Sequence, residues 1–210
     1  NECMDTRRFV GLRVIIDALE RAGYPVEWAG LATVHTYDVV LVSLTSDCDW
    51  WPFIAERSRW QPGRYRVIIG GAGVLHVAPF LPFGDYFSLG RGERSVVELV
   101  RGLDGKSADV DDSIVVSAQF SPEQTYHIRQ AEAPYPHPVP MAGGKVYREG
   151  PIGCNHKCLF CGYTWQRRFL SLLDHYAMSD SLFGGIEDKE RAMLDLGRDL
   201  AAVDFRHLRT

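Results

Sequence analysis

Three cysteines stand within eight residues, in Cys154-Asn155-His156-Lys157-Cys158-Leu159-Phe160-Cys161. Their spacing is C-x3-C-x2-C, and they follow the extended run Lys145-Val146-Tyr147-Arg148-Glu149-Gly150. Thiolates are soft ligands, and three on one short loop can hold three corners of a cubane iron–sulfur cluster. The fourth iron is then left without a nearby protein ligand and is open to a substrate. Zinc is the competing reading. A structural zinc takes four protein ligands, commonly as two separated pairs. No second pair is present here, and His156 is cramped between the cysteines that flank it. The bland alternative is chance clustering, which three of only five cysteines falling in one octet make a poor account.

The rest of the chain must position that loop. Its 210 residues are enough for one or two domains, and 46% apolar with 24% charged residues is the composition of an ordinary globular protein. The formal charge is −4 with no basic run, which argues against a nucleic-acid footprint. No apolar stretch approaches the ~20 residues of a membrane span, and no signal peptide opens the chain. Clustered thiols without a disulfide framework point to a reducing, cytoplasmic compartment. Cys3 and Cys48 read as ordinary free thiols.

Apolar periodicity predicts a helix from Thr6 to Ala22, stopped by Gly23, and then a short strand over Pro25-Val26-Glu27-Trp28. Asp38 to Leu44 reads as a strand buried on both faces, followed by a helix around Trp51 to Trp60. Further strands are expected at Arg64 to Ile69 and Tyr86 to Leu89, and a helix at Ser95 to Arg101. This alternation predicts an α/β fold with a doubly wound parallel sheet, flavodoxin-like or Rossmann-like. Short strands are expected at Ser113 to Phe120 and Thr125 to Arg129, as a hairpin around Ser121-Pro122. A proline-rich stretch, Ala133 to Gly144, is the best domain boundary. Beyond the cysteines, Ile186 to Val203 reads as a helix.

A doubly wound sheet binds ligands at the carboxyl ends of its strands. Three loops belong there: Asn1 to Thr6, Ser43 to Asp49, and Gly70-Gly71-Ala72-Gly73. Glycines let a backbone approach a bulky ligand, although simple turn chemistry also explains them. The glycine run is not G-x-G-x-x-G, which makes a nicotinamide cofactor a poor reading. Trp50 and Trp51 could cover a flat ligand or anchor the next helix, and His76 could approach the same cleft. Tyr163, Trp165, Arg167 and Arg168, after the cysteines, are read as packing and solvating their loop.

The segment Gly153 to Cys161, with Phe160 as the aromatic before the last cysteine, resembles the defining loop of the radical S-adenosylmethionine superfamily, C-x3-C-x-aromatic-C. The resemblance implies a [4Fe–4S] cluster on Cys154, Cys158 and Cys161, with S-adenosyl-L-methionine on the open iron and Phe160 near its adenine. Its chemistry is reductive cleavage of the sulfonium to a 5′-deoxyadenosyl radical that abstracts hydrogen from substrate. It also implies a small-molecule or peptide substrate and a reductant such as flavodoxin or ferredoxin. A doubly wound domain just before such a loop resembles the cobalamin-dependent class of that superfamily. Ser43-Leu44-Thr45 and Gly70-Gly71 look like the small-residue motifs of a cobalamin cleft, and Gly90-Arg91-Gly92-Glu93 like the G-x-G-E turn of that class. The resemblance thus places Ser43, Thr45, Gly70, Gly71, Gly92 and Glu93 at the cofactor. One motif departs from it: in Asp5-Thr6-Arg7-Arg8-Phe9-Val10-Gly11, Arg7 stands where D-x-H-x-x-G has its histidine. A protonated guanidinium is no cobalt ligand, so a cobalamin here is expected without a histidine from this motif.

The expected organisation is a cobalamin-binding-like domain over residues 1–112, a linker with short strands over 113–144, and the start of a partial (β/α)6 radical S-adenosylmethionine barrel over 145–210. The first strand of the sheet is expected to lie before Asn1. A full eight-unit barrel takes ~250 residues, or about 31 per unit, so the barrel portion fits about two units. Both ends read as cut, and the piece by itself is expected to be inactive. The activity implied is a methyltransferase acting on an unactivated centre. The alternatives are a radical enzyme without cobalamin, catalysing rearrangement or cyclisation, and a non-catalytic iron–sulfur or zinc module.

Overall fold

The computed structural model describes residues 10–29, 33–60, 63–74, 77–129, 135, 137, 139–140 and 146–147. Arg7, His76, the cysteine loop with Phe160, and the helix expected at 186–203 lie outside these residues. Helix α1 (Val10–Arg21) buries Val14 and Leu19. It ends where the periodicity places the stop. Gly23 has φ +88°, its N–H donates to Glu20 O at 3.0 Å, and Tyr24 N–H reaches Leu19 O at 3.0 Å. Those bonds occupy carbonyls that the last turn leaves free.

Residues 25–28 do not form the expected strand. Pro25 has no N–H to give to a ladder, Glu27 accepts the Tyr37 hydroxyl at 3.2 Å, and Trp28 is 50% exposed beside the Arg13 guanidinium, 5.4 Å from its ring centre. Local partners outside any sheet hold this segment.

The sheet begins with β1 (Val39–Ser43), which pairs in parallel with β2 (Arg66–Gly70) from Val39↔Arg66 to Ser43↔Gly70. β2 pairs in parallel with β3 (Tyr86–Ser88). Helix α2 (Trp50–Arg57) joins β1 to β2, whereas a 3-10 helix (Ala78–Phe83) joins β2 to β3. Strand β4 (Ile114–Val116) then pairs with β3 in the antiparallel sense. The result is an open mixed sheet of order β1-β2-β3-β4: three of the strands expected in the parallel sheet pair in parallel, and β4, from the segment expected to be a linker with short strands, joins them antiparallel.

The reversal has a local cause. After α3 (Ser95–Leu103) the chain runs back along that helix toward its start. Glu98 accepts the Asp109 N–H at 3.0 Å, and the Asp111 carboxylate accepts the hydroxyl of Ser95, the first residue of α3, at 3.1 Å. Leu89 N–H then takes Ser113 O at 2.9 Å. The next strand therefore starts at the carboxyl end of β3 and can only run the opposite way. Residues 125–129, expected as half of a hairpin, contribute one bridge, Gly90↔Arg129, because Tyr126 folds back to stack on Phe120 at 5.5 Å.

Side-chain alternation along the strands divides the core in two. Val40, Val67, Ile69, Phe87 and Val115 meet Trp50 and Phe53 on the α2 side. Ile68 and Ile114 meet Leu99 on the α3 side, with Val39, Leu41 and Tyr86 beside them. Each fully buried aliphatic or aromatic side chain contributes about 1.5–3 kcal/mol. Helix α1 lies against α3 and against β5 (Val139–Pro140), which pairs in the antiparallel sense with β6 (Val146–Tyr147). Among the described residues no helix is long and apolar enough to cross a membrane.

Candidate functional site

The described candidates gather at the carboxyl ends of the parallel strands. Ser43 and Gly70 are register partners, and a Cβ on Gly70 would lie 3.6 Å from Ser88 Cβ. Two residues further along the strands than Leu41, Ile68 and Tyr86, these three share the α3 face. They make a row of small residues across β1, β2 and β3. The Ser88 side chain is buried, and its Oγ has no hydrogen-bond partner among the described residues. A Cβ at Gly92 would meet Ser88 Oγ, Ile15 Cδ1 and Val96 Cγ2, each at 3.2 Å. With no side chain there, Ile15 of α1 and Val96 of α3 pack against the turn beside Ser88.

The two glycines of the Gly70-Gly71 pair have different reasons. Gly71 has φ +107°, and a Cβ there would sit 2.2 Å from Leu44 O. The loop after β1 and the loop after β2 are bonded at that point, with Leu44 N–H to Gly70 O at 2.8 Å and Gly73 N–H to Leu44 O at 2.9 Å. Loop-to-loop contact thus accounts for Gly71 without a ligand. Nothing comparable constrains Gly70, whose Cβ would make an ordinary contact.

Thr45 is exposed, and its loop is braced by a carboxylate that sequence reasoning did not single out. Asp49 Oδ2 accepts Thr45 N–H at 2.6 Å, Thr45 Oγ1 at 2.8 Å and Ser46 N–H at 2.8 Å. Burial opposes its charge, but these bonds outweigh burial and hold its pKa below the usual carboxylate value. Trp50 is a core residue rather than a ligand cover: its ring stacks on Phe80 at 3.7 Å and its Nε1–H donates to Gly73 O at 3.0 Å. Trp51 is 76% exposed, and Cys48 is an exposed free thiol.

In the Gly90-Arg91-Gly92-Glu93 turn, the Glu93 carboxylate accepts Arg91 Nε–H at 2.6 Å, and both side chains are largely buried. The turn is held from outside by Arg129, whose carbonyl accepts Arg91 N–H at 3.0 Å and whose N–H donates to Leu89 O at 2.9 Å. The Arg129 guanidinium is ion-paired with Asp111. Asp111 also accepts Ser95 Oγ–H at 3.1 Å and Ser113 N–H at 3.1 Å. Burial works against the Asp111 charge, yet the bonds from Ser113 and Ser95 and the positive Arg129 keep its pKa lowered. Asp111, Arg129 and Ser88 escaped sequence reasoning. The available signal for Ser88 was a lone hydroxyl in the run Tyr-Phe-Ser-Leu just before a glycine turn.

Among the described residues no group of three or more histidines, cysteines or acids is placed to hold a metal. Cys154, Cys158, Cys161 and Phe160 lie outside those residues. No protein-family model matches the chain, and neither a curated protein nor a solved structure does.

Proposed function

We propose that the chain is part of a radical S-adenosylmethionine enzyme of the cobalamin-dependent class, a methyltransferase acting on an unactivated carbon or phosphorus centre. The observation that carries this reading is the loop Cys154-x3-Cys158-x-Phe160-Cys161 following an α/β sheet domain in the chain. Thiolates of Cys154, Cys158 and Cys161 would hold the cluster, leaving one iron for S-adenosyl-L-methionine.

What supports cobalamin is the fit of the described residues to a bulky polar group. The row Ser43–Gly70–Ser88 presents little side-chain volume, Gly70 is small without a packing reason, and Ser88 Oγ is a buried hydroxyl in need of a partner. Glu93, tied to Arg91, would shape the turn rather than touch the ligand. Once bound, the two cofactors supply hydrogen abstraction and a transferable methyl group. The chain's part is to hold thiolates together, brace the Thr45 loop and keep small residues at the strand ends.

Anaerobic reconstitution of the full-length protein tests this. The expectation is a four-iron, four-sulfide cluster that is lost in Cys158→Ala, cobalamin retained through chromatography, and 5′-deoxyadenosine formed from S-adenosyl-L-methionine under reduction. Zinc in place of iron would overturn the reading, and iron without retained cobalamin would reduce it to the cobalamin-free radical enzyme.

A further inference from the structure

The linker expected over 113–144 is, in its described residues 113–129, built into the strand end that carries Ser88. Ser88 pairs with Ile114, the first residue of β4. Beyond that pair β3 would run on without a neighbour. The next residue, Leu89, has its N–H and C=O on one edge of the strand. Its N–H donates to Ser113 O at 2.9 Å, and its carbonyl accepts Arg129 N–H at 2.9 Å. Arg129 O in turn accepts Arg91 N–H at 3.0 Å, which makes the parallel bridge Gly90↔Arg129. The approach is close: Gly90 has φ +88°, and a Cβ there would lie 2.3 Å from Arg129 O. Gly90 is therefore small because Arg129 lies against it, whereas a Cβ on Gly92 would lie 3.2 Å from Ser88 Oγ.

One carboxylate joins the two backbones that hold Leu89. Asp111 accepts Ser113 N–H at 3.1 Å and is ion-paired with the Arg129 guanidinium. It also accepts the hydroxyl of Ser95, the first residue of α3, at 3.1 Å. The paired side chains of Arg129 and Asp111 are only 24% and 26% exposed, so water screens them little and neither is well solvated without the other. The two residues are 18 apart in the chain, and their pairing closes the loop that brings Arg129 to the turn.

We propose that Asp111 and Arg129 are positioning residues for the strand end that carries Ser88, their ion pair setting the backbone of Leu89 to Arg91 and through it the Ser88 hydroxyl. A strand end without a neighbour frays, and a ligand that must order it binds more weakly. The ion pair orders it beforehand. The bracket stands on its own contacts, and only its use in holding a ligand rests on the proposed function.

The test uses the full-length protein, Arg129→Met, and the paired variant Asp111→Asn/Arg129→Met, which leaves no charge without its partner. In the unliganded proteins, amide exchange over 88–92 should be about tenfold faster or more in both, while peptides over β1 and β2 keep the wild-type rate. Unchanged exchange over 88–92, or equal acceleration over β1 and β2, would overturn the bracket. Cobalamin titrated into the same proteins separates positioning from general loosening. Arg129→Met should weaken binding no more than Ser88→Ala does, about five- to tenfold, and should add little when combined with Ser88→Ala. Unchanged affinity in Arg129→Met, or an equal further loss in the Ser88→Ala background, would overturn the action through Ser88. Wild-type protein that retains no cobalamin would instead sink the proposed function and leave the exchange result to decide the bracket.

Discussion

Replacing Gly70 and Gly71 one at a time separates a packing glycine from a ligand glycine. In Gly71→Ala the new methyl would lie 2.2 Å from Leu44 O at a backbone φ of +107°. A positive φ costs an alanine about 1–2 kcal/mol. Relieving the collision means separating the two loops and losing the bonds Leu44 N–H to Gly70 O and Gly73 N–H to Leu44 O, each worth ~1 kcal/mol net. The sum is about 3 kcal/mol. With a urea slope near ~2 kcal/mol per M, the unfolding midpoint should fall by about 1.5 M. In Gly70→Ala the methyl meets Ser88 Cβ at 3.6 Å, an ordinary contact. The loss of chain entropy in the unfolded state then stabilises by about 0.4–1 kcal/mol. Its midpoint should hold or rise slightly, while cobalamin retention falls because the methyl occupies the row. Urea melts followed by tryptophan fluorescence, with cobalamin absorbance on the same samples, read both effects. A Gly71→Ala midpoint equal to wild type would refute the loop-contact argument. A Gly70→Ala protein as stable as wild type that keeps its full complement of cobalamin would refute the ligand row.

Asp111→Asn should destabilise at neutral pH, where the native carboxylate holds Arg129, Ser95 and Ser113. Because its folded pKa lies below the unfolded value of 3.8, that stabilisation is complete above about pH 4 and disappears as pH falls through the lower, folded value. Melts from pH 7 to 2 should show wild type and variant converging on the acid side, and a constant gap would contradict the assignment. Trp50→Ala removes a buried ring stacked on Phe80 and should cost about 3–5 kcal/mol in urea melts, against ~0.5 kcal/mol or less for Trp51→Ala at its exposed site. Asp49→Ala frees the Thr45–Ser46 turn and should lower stability by about 1–2 kcal/mol in the same assay, with faster amide exchange at Thr45 and Ser46 than in wild type.

The strands at 39–43, 66–70 and 86–88 were legible because unbroken apolar runs admit burial on both faces, and α1 and α3 because their apolar positions recur at helical spacing. The direction of β4 was not legible. It follows from the contacts of Asp109 and Asp111 along α3, and a polar connector such as 104–112 gives no outward sign of which carboxylate will turn back. Pro25 to Trp28 looked like a strand because its residue types suit one, but a strand also needs a neighbour with free ladder groups, and that is a property of the whole sheet.

At the candidate site the same division holds, and it bears on what the motifs mean. The glycine pair was visible, yet its two members do different things, and only the distance of an absent Cβ from Leu44 O separates them. Glu93 was visible as part of a motif, but its carboxylate is engaged by Arg91, two positions before it. Ser88 was invisible among apolar neighbours and is the buried hydroxyl that lacks a partner among the described residues. A buried hydroxyl left unsatisfied costs about 1–3 kcal/mol, so a ligand that accepts from Ser88 recovers stabilisation that the protein alone forgoes. On the proposed reading, binding at this end of the sheet would draw on Ser88 as well as on Gly70. Ser88→Ala should then cost the bare protein nothing and weaken cobalamin binding about five- to tenfold, the worth of one neutral hydrogen bond. Titrating cobalamin into Ser88→Ala and wild type measures it, and equal affinities would remove Ser88 from the site.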